Sequence, residues 1–282
     1  MAQLNRFSVR SAGFKQRQSA SLNKILGILA MFLTMVGCST LPTSYHPTNA
    51  ITLNDFSHEL FNQTLQAHVN AGVVDYPQYA TDARFTQYLE QLNRLDPTTL
   101  PSQKDRLAFW INAYNAFAVK GILDGFSPTT WTDKYTYFVS RDYMVGGSQV
   151  NLYAVERDIL IPRFHEPRIH FAIVCASQSC PKLQSLAYSP ENLDAQLTAS
   201  AKQFINDPSR NRFDSKRKIA YLSMIFDWFE EDFTNHSGSL LKYVAQFVED
   251  KTLAKDLRQT PYTIRFLEYD WSLNGIPLRP QT

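Results

Sequence analysis

Cysteine is scarce in this sequence, with three residues among 282, at positions 38, 175 and 180. A zinc site built from Cys175, Cys180 and His170 lacks a fourth ligand at any recognisable spacing, so no metal and no cofactor are expected. The chain also shows no internal repeat. Its 44% hydrophobic content, with 14 Tyr, 19 Phe and 4 Trp, predicts a folded body with a proper core and argues against disorder.

An excess of positive charge is missing from most of the chain. Residues 1–37 hold five Lys and Arg and no acid, so the remaining residues carry 23 Lys and Arg against 26 Asp and Glu. A slightly acidic body offers no electrostatic surface for nucleic acid. Nucleic acid is therefore not an expected partner.

The apolar run near the N-terminus is too short to span a membrane comfortably. Residues 25–36 form a mainly apolar run of twelve, typical of the hydrophobic region of a secretory signal. The Gly37-Cys38 pair that follows resembles a bacterial lipoprotein signal, although Met35 stands where leucine is usual. We expect residues 1–38 to be a lipoprotein signal peptide with Cys38 as the lipidation site, and residues 39–51 to be a tether. Because an aspartate is absent beside Cys38, the expected address is the outer membrane, facing the periplasm.

The periodicity of the body predicts more helices than strands. Helices are predicted over residues 52–72, 82–95, 102–123, 151–160, 190–206, 223–233, 240–248 and 253–257. Extended segments are predicted over 73–76, 169–174 and 263–269, with hairpins near 146–148 and over 212–222. Because the two types do not alternate strictly, we expect the α+β class, in a single domain over residues 52–282 with a small, mostly antiparallel sheet.

The helix predicted over residues 102–123 is apolar almost all round, which is typical of a buried central helix. Ser102 and Asp105 at its start resemble a capping box. Asn112 and Asn115 lie one turn apart on one face, and buried amides need hydrogen-bond partners. Two interpretations stay open. The amides bond loop backbone and fix a connection, or one of them orients a substrate carbonyl or a catalytic group.

The stretch over residues 168–183 concentrates the reactive side chains of the body. A short apolar run predicts a strand covered on both faces, and Cys175 lies where that strand ends and the chain turns. Cys175 and Cys180 are compatible with a local disulfide, with part of a metal site, or with a cysteine nucleophile that needs a nearby imidazole. His170 is embedded in apolar sequence, and its simplest interpretation is a satisfied core residue.

Five sequence blocks carry a resemblance to a known family. In chain order they are W-I-N-A-Y-N-A-F, V-E-R-D-I-L, H-F-A-I-V-C-A-S-Q-S-C-P-K-L, F-D-W-F-E-E-D-F and L-E-Y-D-W-S-L-N. With these blocks, residues 55–274 resemble the domain of unknown function 547, which is often found in exported bacterial proteins. That family is similar to papain-like and transglutaminase-like cysteine enzymes, so the resemblance implies a cysteine-peptidase-like fold.

The resemblance also implies a catalytic set of one glutamate, one histidine and one cysteine. Matched by motif, these are Glu156, His170 and Cys175, and the chain departs from the family at Arg157, where histidine is common. In such a set the Cys175 thiolate attacks a carbonyl, His170 moves the proton and Glu156 holds the imidazole ring. Residues five apart on an ideal strand point to opposite faces, so His170 and Cys175 meet only if the chain bends or if Cys175 already lies in the turn.

Further side chains are predicted around this set. An oxyanion would be stabilised by backbone N–H groups of residues 176–179, including Ser177, or by the amides of Asn112 and Asn115. The aromatic residues within 226–233 are expected to belong to the core rather than to a substrate groove. Asp227 is the second candidate for the carboxylate role.

The sequence therefore predicts a lipid-anchored periplasmic cysteine hydrolase that acts on an amide, peptide or thioester bond of a peptide or small acyl or amide substrate. The alternative is a non-catalytic, lipid-anchored binding or assembly module of the cell envelope, in which Cys175 and His170 serve structure. The enzyme predicts an exposed thiol of lowered pKa that alkylating reagents can reach. The module predicts a buried thiol or a disulfide between Cys175 and Cys180.

Overall fold

A computed structural model describes residues 44–278 of the chain. Cys38, the predicted signal peptide and the first part of the predicted tether lie outside the described residues. The described residues belong to one compact unit. Within this range, no helix combines the length and the hydrophobicity that a membrane crossing requires.

Helices dominate the described part of the chain. The α-helices, α1 to α12, cover Glu59–His68, Tyr76–Tyr79, Ala83–Arg94, Gln103–Leu123, Trp131–Tyr135, Leu152–Ala154, Ile161–Phe164, Leu193–Ile205, Met224–Trp228, Glu230–Ser237, Leu240–Val244 and Lys251–Gln259. Short 3-10 turns lie at Leu53–Asp55, Pro97–Thr99 and Pro167–Phe171, and π turns lie at Thr136–Ser140 and Val155–Leu160. With the short strands given next, the predicted α+β class is confirmed.

The strands form three small sheets instead of the one sheet that the sequence predicts. Strands β1 to β8 cover Val69–Asn70, Val73–Asp75, Tyr143–Val145, Ser148–Val150, Arg212–Asp214, Ile219–Leu222, Thr263–Phe266 and Gly275–Ile276. The order is β1-β2-β8 in one sheet, β3-β4 in a hairpin and β5-β6-β7 in the third sheet. β8 pairs with β2 in parallel, and β7 with β6, so the C-terminal residues tie together distant parts of the chain.

Helix α4, Gln103–Leu123, is the centre of the larger hydrophobic core. The Ser102 side chain accepts from the backbone N–H of Asp105, and the Asp105 carboxylate accepts from the N–H of Ser102. Nearly every residue from 107 to 122 is buried, so the helix has neighbours on all sides. The predicted capping box and the predicted buried central helix are both confirmed.

The strand predicted over residues 169–174 is wrong. A 3-10 turn occupies Pro167–Phe171 and is capped by the Glu166 carboxylate. The backbone of Ala172 and Val174, which a strand would pair in a ladder, bonds to a side chain of α4 instead. Because a short apolar run is buried in either conformation, its hydrophobicity does not distinguish them.

The first predicted helix has wrong boundaries at both ends. Helix α1 begins at Glu59 instead of residue 52, since a 3-10 turn at Leu53–Asp55 takes the residues before it. It ends at His68, well before the predicted stop at Gly72. Ala71 and Gly72 both have positive φ and form the tight turn between β1 and β2.

The helix predicted over residues 151–160 does not end there and continues through α7 to Phe164. The π turn Val155–Leu160 joins α6 to α7, and Pro162 lies in the first turn of α7. Pro162 has no N–H to donate to the helix, and it lies where the widened π turn gives way to α7. The π turn carries Glu156, and such widened turns often accompany functional sites.

The buried apolar residues form two clusters. The larger surrounds α4 and includes Cys175, and the smaller contains Phe171, Phe226 and Phe233. The core prediction for residues 226–233 holds for Phe226 and Phe233, whereas Trp228 keeps 36% of its surface exposed. The segment from Phe171 to Cys175 therefore connects two separately packed cores.

Candidate active site around Cys175

Cys175 is the candidate nucleophile, and its sulfur contacts three polar side chains. Its Sγ lies 2.7 Å from the Sγ of Cys180, 3.1 Å from the Oγ of Ser177 and 3.2 Å from the hydroxyl of Tyr269. Both cysteines are free thiols, and Cys175 keeps 9% of its surface exposed. Ser177, one of the predicted site residues, thus lies at the sulfur.

These hydrogen bonds decide which thiol ionises. Burial raises the pKa of Cys175, but hydrogen bonds from Cys180, Ser177 and Tyr269 to the charged sulfur outweigh burial and lower it below its ordinary value. Burial and the adjacent Cys175 raise the pKa of Cys180 well above its ordinary value, and burial does the same for Tyr269. The cluster therefore favours a thiolate at Cys175 beside a protonated Cys180 and a protonated Tyr269.

The backbone after the nucleophile is strained and held in place. Ala176 has a φ of 57°, in the left-handed region that alanine rarely adopts. Its carbonyl accepts from the N–H of Asn274, and the N–H groups of Gln178 and Ser179 donate to carbonyls within residues 270–274. Gln178 and Ser179 were candidates for oxyanion donors, and their N–H groups are occupied by the protein itself.

Arg210 fixes the far end of the same loop. Its guanidinium donates to the carbonyl of Cys180 through Nε at 3.0 Å and Nη2 at 2.8 Å, and to the carbonyl of Gln178 at 2.7 Å. The Asp207 carboxylate pairs with Nη1 at 2.6 Å. Since guanidinium donors form a rigid planar fork, this ion pair holds residues 178–180 in one geometry.

Asn112 and Asn115 clamp two loops onto the central helix. Asn115 donates to the carbonyl of Ala172 and accepts from the N–H of Val174, each at 2.9 Å. Asn112 makes the same pair of bonds with the backbone of Tyr188, at 2.8 and 2.9 Å. These contacts are those of the connecting role, and neither amide is among the groups that contact the Cys175 sulfur.

His170 lies in a second polar cluster. Its Nε2 is 2.7 Å from Oδ2 of Asp232, and its Nδ1 is 4.0 Å from Oε1 of Glu156, too long for a hydrogen bond. The ring packs against Phe229, with 3.9 Å between the centroids and 30° between the planes. Nδ1 is buried and has no hydrogen-bond partner among residues 44–278. The side chain of His170 is thus held by a carboxylate and an aromatic face.

Of the predicted catalytic set, Glu156 and His170 lie close together, whereas Cys175 is not joined to them. Glu156 and His170 are within ion-pair distance, but no hydrogen bond joins His170 to Cys175 in the part of the chain that the structure describes. A cavity of about 250 Å³ beside His170 and Asp232 is lined without Cys175. Because an imidazole-activated thiol needs that hydrogen bond, the predicted triad is not assembled in this arrangement.

Glu156 makes stability depend on pH. Burial raises the pKa of its carboxyl above the ordinary 4.5, although Arg157 and His170 oppose that shift. A raised pKa in the folded state favours the fold at acidic pH, and this contribution is lost as pH rises through the folded pKa. We therefore expect Glu156→Gln to gain unfolding free energy relative to wild type as pH rises from about 4 to about 7. Urea unfolding over this range measures the difference.

The control for this prediction is Glu90→Gln, which removes an exposed carboxylate from helix α3. Its unfolding free energy relative to wild type is expected to change little with pH. A difference between Glu156→Gln and wild type that stays constant, or that falls with rising pH, would show that the buried carboxyl does not titrate as described.

Tyr269 links the thiol to an aromatic cluster. Its ring contacts Trp228 and Trp271, with centroids 4.8 and 4.6 Å away. The Lys134 ammonium lies 3.9 Å from the centroid of Trp271, and its charge interacts with that of Cys175. We call Trp228, Tyr269, Trp271 and Lys134 the aromatic rim. Since Trp228 is partly exposed, the rim is open to solvent.

Sequence reasoning misses Tyr269 and Asp232, the long-range partners of the two clusters. Tyr269 lies 94 positions after Cys175, and Asp232 lies 62 positions after His170. Both stand in sequence blocks quoted above, L-E-Y-D-W-S-L-N and F-D-W-F-E-E-D-F, to which the sequence assigns no role. The carboxylate that His170 contacts is thus Asp232 and not Asp227, the second candidate.

Among residues 44–278, no group of three or more His, Cys, Asp or Glu could hold a metal ion.

In comparisons with known proteins, one family model matches part of this chain. No curated protein and no solved structure matches the chain. The family match that does occur contains helix α4, Glu156, His170 and both thiols of the loop, and it is shorter than the five blocks suggest. Residues 97–205 of the chain match the family model described as Protein of unknown function, DUF547.

Proposed function

We propose that this protein is a cysteine-dependent hydrolase or acyl transferase whose nucleophile is Cys175. In this proposal it is exported, held at the outer membrane by a lipid on Cys38, and acts in the periplasm on an amide, peptide or thioester bond. The supporting observation is the thiol itself, since hydrogen bonds from three side chains lower its pKa below the ordinary value. The thiolate is the form that attacks a carbonyl carbon, and a lowered pKa increases its share.

Hydrogen-bond donors, and not an imidazole, activate Cys175 in this proposal. A hydrogen bond to a charged group contributes about 1.5–3 kcal/mol, so several of them offset the cost of burying the thiolate. Once Cys175 has lost its proton, Cys180, Ser177 and Tyr269 supply these bonds. His170 then acts as a positioning residue, because its 3-10 turn precedes the loop and Asp232 anchors it from the smaller core.

The reaction follows from the groups around the sulfur. The Cys175 thiolate attacks the carbonyl carbon and forms a thioester, while the bond to the leaving group breaks. Tyr269, whose raised pKa keeps its phenol protonated, gives its proton to the leaving group. Water, or an amine acceptor, then attacks the thioester and returns a proton to the Tyr269 oxygen. The acyl product leaves, and the thiolate is restored.

A non-catalytic binding module of the cell envelope is the second candidate, and the burial of both thiols favours it. Cys175 and Cys180 are 9% and 4% exposed. In this case the thiols belong to the core, and the aromatic rim is itself the binding surface. The partly exposed ring of Trp228 makes that surface available to a partner.

Acylation of the full chain by p-nitrophenyl acetate distinguishes the two candidates. The enzyme predicts release of p-nitrophenol and an acetyl thioester that peptide mass spectrometry locates on Cys175. Cys175→Ala abolishes both, whereas Tyr269→Phe still becomes acylated and loses the acetyl group more slowly. If wild type and Cys175→Ala release p-nitrophenol at the same rate, and no acetyl group is found on Cys175, the binding module replaces the enzyme.

The lipid anchor is tested separately in cells. We expect the full chain to incorporate a palmitate label and to fractionate with membranes, and Cys38→Ala to lose the label. Palmitate incorporation that survives Cys38→Ala contradicts lipidation at this residue.

A further inference from the structure

Cys175 and Cys180 form a pair that acyl transfer alone does not require. We infer that these cysteines are a thiol–disulfide exchange site, in which Cys175 is the attacking thiol, Cys180 the resolving thiol, and the disulfide between them withdraws the nucleophile. The loss of acyl transfer on oxidation rests on the proposed function, whereas the disulfide chemistry stands without it.

The two sulfurs are in contact before any oxidation. Their separation is 2.7 Å, and the backbone N–H of Cys175 lies 2.8 Å from the Cys180 sulfur. A disulfide joins two sulfurs that are about 2.05 Å apart, so the two side chains need only a small further approach. Arg210 holds the carbonyl of Cys180, and Asn274 holds the carbonyl of Ala176, so the backbone is already fixed.

The disulfide would act as a chemical switch and not as a structural staple. Four residues separate the cysteines, and the entropic stabilisation from a cross-link grows with the length of the loop that it closes. Arg210 and residues 270–274 already constrain this loop. The main consequence of oxidation is therefore the loss of the Cys175 thiolate and of the Cys180 donor beside it.

With glutathione disulfide as the oxidant, the exchange has two steps. The Cys175 thiolate attacks one sulfur of the oxidant, its S–S bond breaks, and one glutathione thiolate leaves. Cys180 then transfers its proton to that thiolate, attacks the Cys175 sulfur and expels the second glutathione as a thiolate, which takes a proton from water. Two protein sulfurs have been oxidised, and one glutathione disulfide has been reduced to two molecules of glutathione.

The low exposure of Cys180 and the charge on Cys175 set the order in which the two thiols react. Cys180 is 4% exposed, so an external disulfide reaches Cys175 first. The charge on Cys175 contributes to the raised pKa of Cys180, after burial and their hydrogen bond. Once Cys175 is in a mixed disulfide, that charge is gone and Cys180 ionises more readily. The first step thus prepares the resolving thiol for the second.

The experiment treats the purified full chain with mixtures of reduced and oxidised glutathione, quenches with acid, alkylates free thiols and maps the peptides by mass spectrometry. In wild type we expect an internal disulfide between Cys175 and Cys180, reversed by dithiothreitol, with no lasting glutathione adduct. Cys180→Ser is expected to stop at a mixed disulfide on Cys175. Cys175→Ser is expected to leave Cys180 unmodified.

Two results overturn the inference. One is a stable glutathione adduct on Cys175 of wild type beside a free Cys180. The other is two free thiols in excess oxidant, with Cys175 still open to iodoacetamide. Acetylation of Cys175 by p-nitrophenyl acetate without any disulfide would overturn the exchange site and leave the proposed function standing. A reversible disulfide without acetylation would overturn the proposed function and leave the exchange site standing.

Discussion

Asn115→Ala is expected to lower the free energy of unfolding by about 2–6 kcal/mol, because it leaves two buried backbone groups without partners at about 1–3 kcal/mol each. Those groups are the carbonyl of Ala172 and the N–H of Val174, each 2.9 Å from the Asn115 amide. Asn115 itself is 2% exposed, so water cannot replace the lost bonds without opening the core. Urea unfolding of the full chain measures the loss.

Two further variants make this prediction specific. Asn62→Ala is the matched control, since Asn62 is half-buried and its amide oxygen accepts one bond from the backbone of a loop, at Ala187. It is expected to cost less than Asn115→Ala. Asn115→Asp keeps the acceptor for Val174 but loses the donor to Ala172 and buries a carboxylate, so it should also destabilise the fold. Equal losses for Asn62→Ala and Asn115→Ala would contradict the clamp.

Local patterns in the sequence predict the central helix well and the loop after His170 poorly. The capping box at Ser102 and the all-round apolar character of α4 depend on neighbouring residues, so they can be recognised in the sequence. The apolar run over residues 169–174 becomes a 3-10 turn and an irregular segment because Asn115, more than fifty positions earlier, supplies the hydrogen bonds. A pattern within the run cannot contain that information.

The same limit applies to the site. The stretch over residues 168–183 correctly gathers Cys175, Cys180 and Ser177 into one place, since a tight loop keeps near neighbours together. The partner of Cys175 that lies farthest along the chain, Tyr269, follows a parallel strand pairing, β6 with β7, that brings the C-terminal segment back. His170 turns towards the smaller core because its 3-10 turn directs it to Asp232 and Phe229.

Cys180→Ala is expected to raise the pH at which iodoacetamide labels Cys175 by about one to two units. The reason is the loss of one hydrogen bond to a charged sulfur, about 1.5–3 kcal/mol, where one pH unit corresponds to about 1.4 kcal/mol. Among the hydrogen bonds that lower the pKa of Cys175, the bond from Cys180 has the largest effect, and burial opposes all of them. Removing it leaves the thiolate with Ser177 and Tyr269 as donors, so the pKa rises.

The midpoint of the pH profile and its plateau separate this electrostatic effect from a change in access. A thiolate of higher pKa is intrinsically more nucleophilic, so loss of the donor raises the midpoint without lowering the plateau rate at alkaline pH. A loop that opened or closed around Cys175 would change the plateau and leave the midpoint in place. Peptide mapping restricts the measurement to Cys175.

Two further variants, Cys180→Ser and Tyr269→Phe, test how each donor contributes to the midpoint of Cys175 labelling. Serine keeps a hydroxyl donor at the same position, so its midpoint should lie between those of wild type and Cys180→Ala. Phenylalanine removes the hydroxyl 3.2 Å from the sulfur but keeps the ring against Trp228 and Trp271, and it should raise the midpoint as well. His170→Ala removes no donor to the sulfur, so its midpoint should stay near that of wild type. A large rise in His170→Ala alone, with none in Cys180→Ala, would restore the imidazole as the group that activates the thiol.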